Sequence, residues 1–191
     1  MSVIEMMILG FLSERCMCGY ELRKKMEQLQ GDSRKFSDGA IYPATARLVK
    51  AGLISERSEP RDGRQRRVFT LLDAGRERLI HELRDANGFY VTDITKWTVV
   101  LTFLNVVPDK ADRDAVLRRR YDLLSRQDVH FFYCDAGNPL SYDQIDDPYR
   151  RGILRVHDAE IEAELAWLSE ELGLPDDAAD GSADGDAVGR A

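Results

Sequence analysis

Apolar residues recur at three- and four-residue steps through the first positions of the chain. Ile4, Ile8, Phe11 and Leu12, with Met7 beside them, predict an amphipathic helix over 2–13. Residues 16–19 interrupt the pattern, and a second helix is predicted over about 20–30. Its Leu22, Met26 and Leu29 point inward, while Glu21, Arg23, Lys24, Lys25 and Glu27 face water. Gly31-Asp32 ends it, and Ser37 or Asp38 can cap a third helix carrying Ile41, Ala44 and Leu48 on one side. Gly52 follows its last turn. Three short helices separated by tight breaks suit a helix-turn-helix.

Two runs of strand-like content come next, Leu-Ile-Ser-Glu-Arg-Ser-Glu at 53–59 and Arg-Arg-Val-Phe-Thr-Leu-Leu at 66–72. Asp62-Gly63 between them is a strong turn signal, so the pair predicts a β-hairpin. Arg57, Arg61, Arg64, Arg66 and Arg67 cluster around its tip. A basic hairpin directly after a helix-turn-helix is a wing. Asp73 can cap the following helix, which runs to about residue 84 with Leu79 and Leu83 on one face.

Residues 85–88 are turn-formers, and beyond them the chain is expected to be helical. Tyr90, Ile94, Trp97, Leu101 and Leu104 keep a four-three spacing that places all five on one stripe. Pro108-Asp109 opens a helix with Leu117, Tyr121 and Leu124 on one side, continuing toward Phe131. A loop is predicted over 137–148, then a last helix over about 149–172. That helix carries Leu154, Ile161, Leu165, Leu168 and Leu172, a short heptad-like seam expected to mediate dimerisation. The segment 175–191 has five Asp, five Ala and three Gly and nothing to bury. The fold expected is therefore mainly α with a two-stranded β wing. A winged helix-turn-helix occupies 1–84, a helical dimerisation domain 85–174, and a disordered acidic tail 175–191.

The chain's 191 residues are 43% hydrophobic, which excludes wholesale disorder. No run approaches the ~20 apolar residues of a membrane-spanning helix. The apolar N-terminus lacks a basic leader and contains Glu5, so a signal peptide is not expected and the location expected is cytoplasmic. The net charge of −7 hides an asymmetry. Residues 1–84 hold 16 Lys and Arg against 12 Asp and Glu, whereas 85–191 hold 11 against 22. A basic N-terminal half points toward nucleic acid. A helix fits the major groove, where base edges carry a distinguishable donor and acceptor pattern, and an arginine-rich hairpin suits phosphate or the minor groove.

Residues 37–54 carry a more specific signal. Ser37-Asp38-Gly39-Ala40-Ile41-Tyr42-Pro43-Ala44, then Arg47-Leu48 and Ala51-Gly52-Leu53-Ile54, resembles the recognition helix of PadR-family transcriptional regulators. Gly19-Tyr20-Glu21-Leu22 resembles the start of that family's second helix, and Gly63-Arg64, Arg66-Arg67 and Leu71 through Ala74-Gly75-Arg76 its wing and following helix. The likeness covers roughly 4–80; the C-terminal half is similar to the larger members in layout. It implies a homodimeric repressor of a double-stranded DNA operator, released by a small molecule or another signal. Carried onto this chain, Tyr42 and Pro43 would sit at the groove, Tyr20 near phosphate, and Arg64, Arg66 and Arg67 at the wing contact. Lys35, Ser37, Ala40 and Thr45 complete the candidate DNA-binding set.

Bland readings compete with these. Tyr42 could be a core aromatic of the third helix, although Pro43 beside it argues for a helix N-terminus presenting backbone N–H groups. Tyr90 and Trp97 could stack on a small aromatic effector, or simply pack a core or dimer seam. Cys16, Cys18 and Cys134, with His81, His130 and His157, lack the spacing of a metal site; neither metal nor cofactor is expected. A cysteine-based redox sensor that still binds DNA is a further alternative. No G-x-S-x-G, Gly-rich phosphate loop or H-E-x-x-H is present, so no enzyme is expected. The rival class is a winged helix used for protein interaction, which Ala40 and Ala46 favour by leaving the third helix less polar.

Overall fold

The computed structural model describes residues 1–31, 35–61, 64–126 and 131–175; the side chains of Asp38, Arg61 and Arg64 also lie outside the description. The tail expected at 175–191 therefore lies outside the described residues, apart from Pro175. Two compact units divide the chain, Met1–Arg119 and Arg120–Ala191.

The first unit is built around α1 (Val3–Glu14). Ser2 and Glu5 form a reciprocal capping box, so the helix starts where two otherwise orphaned N–H groups are satisfied. The sequence pattern predicts one apolar face, yet every residue from Met6 to Leu12 is buried. The reason is that α1 is surrounded. It packs against α2 (Gly19–Leu29), α3 (Asp38–Lys50), β3 (Arg64–Leu71), α4 (Asp73–Arg84) and α6 (Ile94–Phe103). Gly10 permits the approach of α6, because a Cβ there would lie 2.5 Å from the Phe103 ring.

The hairpin of β2 (Ile54–Arg61) and β3 pairs in register from Ile54↔Leu71 to Arg61↔Arg64. A third strand, β1 (Met17–Cys18), joins the other edge of β3 through Met17↔Phe69 and Cys18↔Val68, giving the order β1-β3-β2. The wing is thus a three-stranded antiparallel sheet at its base. Two residues are too few for a periodic signal, so the sequence pattern marks only a break there. Pro60 sits on β2, an edge strand, where its missing N–H disrupts no ladder. Asp73 is the first residue of α4, not its cap, which is Leu72. The Leu72 N–H donates to the Leu53 carbonyl at 3.1 Å, fastening α4 to the foot of the hairpin.

The stripe expected from Tyr90 to Leu104 is broken. A short α5 (Phe89–Thr92) ends at Asp93, whose carboxylate caps α6 by accepting the Lys96 N–H at 3.1 Å. The restart turns Ile94 to solvent, while Trp97 and Leu104 of the stripe stay buried and Val99, Val100 and Phe103 join them. Residues 85–88 do form a turn, with Gly88 at φ 50°, but the compact unit continues through them. Arg119, near the end of α7 (Lys110–Leu124), donates to the carbonyls of Arg84 and Ala86 at 2.8 and 3.0 Å and ties that turn down.

The second unit begins in the last turns of α7 and is dominated by α8 (Pro148–Leu172). Pro148 opens α8, Asp147 accepts the N–H groups of Tyr149 and Arg150, and Gly173 closes it at φ 61°. Arg120 holds Glu164 through two parallel bonds of 2.9 and 2.7 Å, a buried fork on a carboxylate. Of the seam residues expected on this helix, Leu168 is 0% exposed and Leu154, Ile161, Leu165 and Leu172 are half-buried, so these five share the more covered side. Tyr149, Ile153, Val156 and Trp167 form the exposed apolar stripe, at spacings that keep a heptad-like register.

Candidate nucleic-acid interface

Tyr42 is where three elements of the first unit meet. It lies on α3 and is 40% exposed. Its ring covers Gly19, the first residue of α2; a Cβ there would be 3.4 Å from the ring. From β3, the Arg67 guanidinium lies 5.1 Å from the ring centroid, in cation–π range. Tyr20 beside Gly19 is 63% exposed, with Arg23 at 5.8 Å from its ring. Two tyrosines and two arginines thus border the start of α2, where unsatisfied N–H groups favour anions.

Pro43 stands in the second turn of α3, five residues after its start, and not at the N-terminus that a proline suggests. It is exposed, and having no N–H it leaves the Gly39 carbonyl without its helical partner on that side. Thr45, expected among the DNA contacts, lies inside the first unit. It is 2% exposed, and its hydroxyl donates to the Tyr42 carbonyl at 3.0 Å, so it supports Tyr42 from behind. Lys35 and Ser37 are exposed ahead of α3, and Ala40 is half-buried. The Ser37 hydroxyl makes no capping bond. Arg47, exposed on α3, is engaged by Glu5 at 2.8 Å. Burial pushes the Glu5 carboxyl up, but hydrogen bonds from Ser2 and Arg47 outweigh it and leave the group below its ordinary range.

The wing arginines do not form one cluster. Successive strand residues face opposite sides. Arg67 therefore shares the Ser58 side of the hairpin and reaches Tyr42, whereas Arg66 shares the Glu59 side. Arg66 turns toward Glu21, with Nη2 3.5 Å from the carboxylate and a buried Nε that has no hydrogen-bond partner. Arg57 pairs with Glu59 at 2.7 Å and Arg67 with Glu56 at 3.5 Å. The side chains of Arg61 and Arg64 lie outside the described residues. Glu21 also accepts the Cys18 N–H at 2.9 Å; that bond, with Arg66 and Arg15 nearby, holds its carboxyl below the usual range. Sequence reasoning missed Glu21 and Glu56 as partners of the wing, because ion pairs between distant segments leave no local pattern.

The expected effector residues are both withdrawn from solvent, to different degrees. Trp97 is 1% exposed, a core side chain of α6. Tyr90 is half-buried, and its hydroxyl donates to the Met1 carbonyl at 2.6 Å; burial there pushes the phenol pKa up. Cys16 is exposed, Cys18 buried and Cys134 half-buried, while His130 lies outside the described residues. Among the described residues no group of three or more His, Cys, Asp or Glu could hold a metal ion, and no helix is long and apolar enough to cross a membrane.

Comparison with known proteins bears on the same segment. Residues 8–81 match the Transcriptional regulator PadR-like family. A protein of Thermoplasma acidophilum, described as a transcriptional regulator, is 32% identical over 41% of this chain and 72% of its own, with a TM-score of 0.38. The chain belongs to the PadR-like family. The match to PadR-like regulators runs from within α1 to α4, so it contains Tyr20, Tyr42 and the whole wing. Bacillus subtilis PadR in complex with operator DNA is 18% identical over 90% of this chain and 99% of its own, at a TM-score of 0.44. The same protein in complex with p-coumaric acid is 17% identical over 90% and 98%, at 0.38. No curated protein matches the chain.

Proposed function

We infer that this PadR-like regulator binds double-stranded DNA as a homodimeric repressor. The observation that carries this is the meeting of exposed Tyr42 on α3 with Arg67 of the wing and Gly19-Tyr20 at the start of α2. Such a surface offers phosphate a guanidinium, two phenol hydroxyls and helix-start N–H groups at once, while α3 enters the major groove. Lys35, Ser37 and Pro43 extend it; Thr45 supports it from inside. Dimerisation is assigned to the exposed Tyr149, Ile153, Val156 and Trp167 stripe of α8. The family likeness implies release by a small molecule or another signal, and a small aromatic effector would have to meet residues other than buried Trp97.

The test is the pair Arg64→Ala with Arg67→Ala. On this reading it weakens binding to every duplex and reduces the slope of log K against log salt by about 0.9 for each phosphate that is no longer neutralised. A winged helix used only for protein interaction predicts no such change.

A further inference from the structure

Each wing arginine whose side chain is described faces a carboxylate of the same chain: Arg57 with Glu59, Arg66 with Glu21 and Arg67 with Glu56. Glu21 has a second task at the start of α2, where it accepts the Cys18 N–H. Glu56 has a different setting. It is exposed on the edge strand β2, its carboxylate faces Arg67, and Arg67 in turn lies over Tyr42.

We propose that Glu56 is a resident stand-in for DNA phosphate, occupying the Arg67 guanidinium in the free protein so that docking must exchange a carboxylate for a phosphate. The inference rests on the DNA-binding reading above and names the residue that sets its strength. Guanidinium groups take carboxylate and phosphate oxygens in the same geometry, so one can replace the other without moving the arginine. The Nη1–Oε1 separation of 3.5 Å is longer than a good charge-assisted bond, and Arg67 is well exposed, so the pair is loose enough to exchange. Arg66 shows the same poise, since its resting place against Glu21 leaves a buried Nε–H without an acceptor. A phosphate contact by Arg67 carries no sequence information. Holding it down lowers affinity for all duplexes, so recognition depends more on the groove contacts of α3. Selectivity over bulk DNA, rather than affinity alone, is what a regulator requires.

The experiment is a fluorescence anisotropy titration of a labelled duplex of mixed sequence with the full chain at two salt concentrations. It compares the wild type, Glu56→Gln, Arg67→Gln and the double variant, with Glu77→Gln as a charge-matched control on the exposed side of α4. The expected result is binding about two- to fivefold tighter for Glu56→Gln, larger at low salt, with the gain abolished in the Arg67→Gln background. Circular dichroism confirms that each variant is folded. The proposal is overturned if Glu56→Gln binds no tighter than wild type, if Glu77→Gln gains as much, or if the gain survives without Arg67. A wild type that binds no duplex overturns the DNA-binding reading itself, a result distinct from a wild type that binds and a Glu56→Gln variant that matches it.

Discussion

Gly75 is the residue on which the wing's attachment to the helices turns. A Cβ built there would lie 2.0 Å from the Leu53 carbonyl oxygen and 2.8 Å from Leu71 Cδ1. The first obstacle is backbone, so no rotamer change relieves it. Ordinary contact begins near 3.4 Å, so α4 must retreat from the hairpin foot by about 1.4 Å in Gly75→Ala. That retreat overpacks the site at about 1–3 kcal/mol and loosens the Leu72 N–H bond to the same carbonyl, about 1 kcal/mol more. Alanine's better helix propensity returns roughly 0.5–1 kcal/mol. The net loss is about 1–3.5 kcal/mol, a substantial share of the ~5–15 kcal/mol that holds a domain folded. It corresponds to a fall of roughly 10 °C in Tm. Thermal and urea unfolding followed by circular dichroism measure it, with Gly152→Ala on α8 as the counterpart. A Cβ at Gly152 meets nothing within 4 Å, so that variant should gain about 0.5–1 kcal/mol from helix propensity. Gly75→Ala unfolding at or above the wild-type midpoint would refute the steric reasoning.

Three further outcomes are expected. Arg120→Ala leaves the Glu164 carboxylate without its fork and should destabilise by about 3 kcal/mol, read from urea unfolding. Replacing both partners by apolar residues should cost less, and a double-variant loss equal to the sum of the two single losses would show that the pair is not coupled. Glu21, whose carboxyl is held down chiefly by the Cys18 N–H, contributes stability that is complete above the ordinary carboxylate value and disappears as pH falls through its lower folded-state value. Glu21→Gln should therefore be less stable than wild type near neutral pH and converge on it in acid; a constant difference at all pH values would contradict this. On α8, Ile153→Glu with Val156→Glu should turn a dimer into a folded monomer in sedimentation, whereas Leu168→Glu should unfold the unit. An unchanged dimer in the first variant would move the interface elsewhere.

Much of the first unit is legible in the chain because its signals are local. Ile41-Tyr42-Pro43, the two strand-like runs of the hairpin, and the Gly31 and Gly52 stops each act within a few positions, while the turn expected at Asp62-Gly63 lies outside the described residues. What escapes is non-local. Met17-Cys18 become a strand only because β3 offers them a free edge. Asp93 looks like one polar residue inside an apolar stripe, yet as a cap it restarts the helix and turns Ile94 outward. Thr45 carries a hydroxyl that suits a groove, but Tyr42 three residues before it provides a carbonyl to bind. On α8, two stripes of apolar residues compete for one period, and spacing alone cannot say which faces solvent. The acidic partners of the wing arginines come from β2 and α2, and only the folded sheet brings them there.

The measurement that bears most directly on function is the affinity of the full chain for labelled DNA from upstream of its own coding region, against a scrambled duplex of equal length at two salt concentrations. Binding that is tighter on the native duplex, weakens steeply with salt and drops when Tyr42 and Arg67 are replaced together is the expected result. No binding to either duplex at the lower salt, by a chain shown to be folded, would contradict the assignment and leave the surface around Tyr42 to a protein partner.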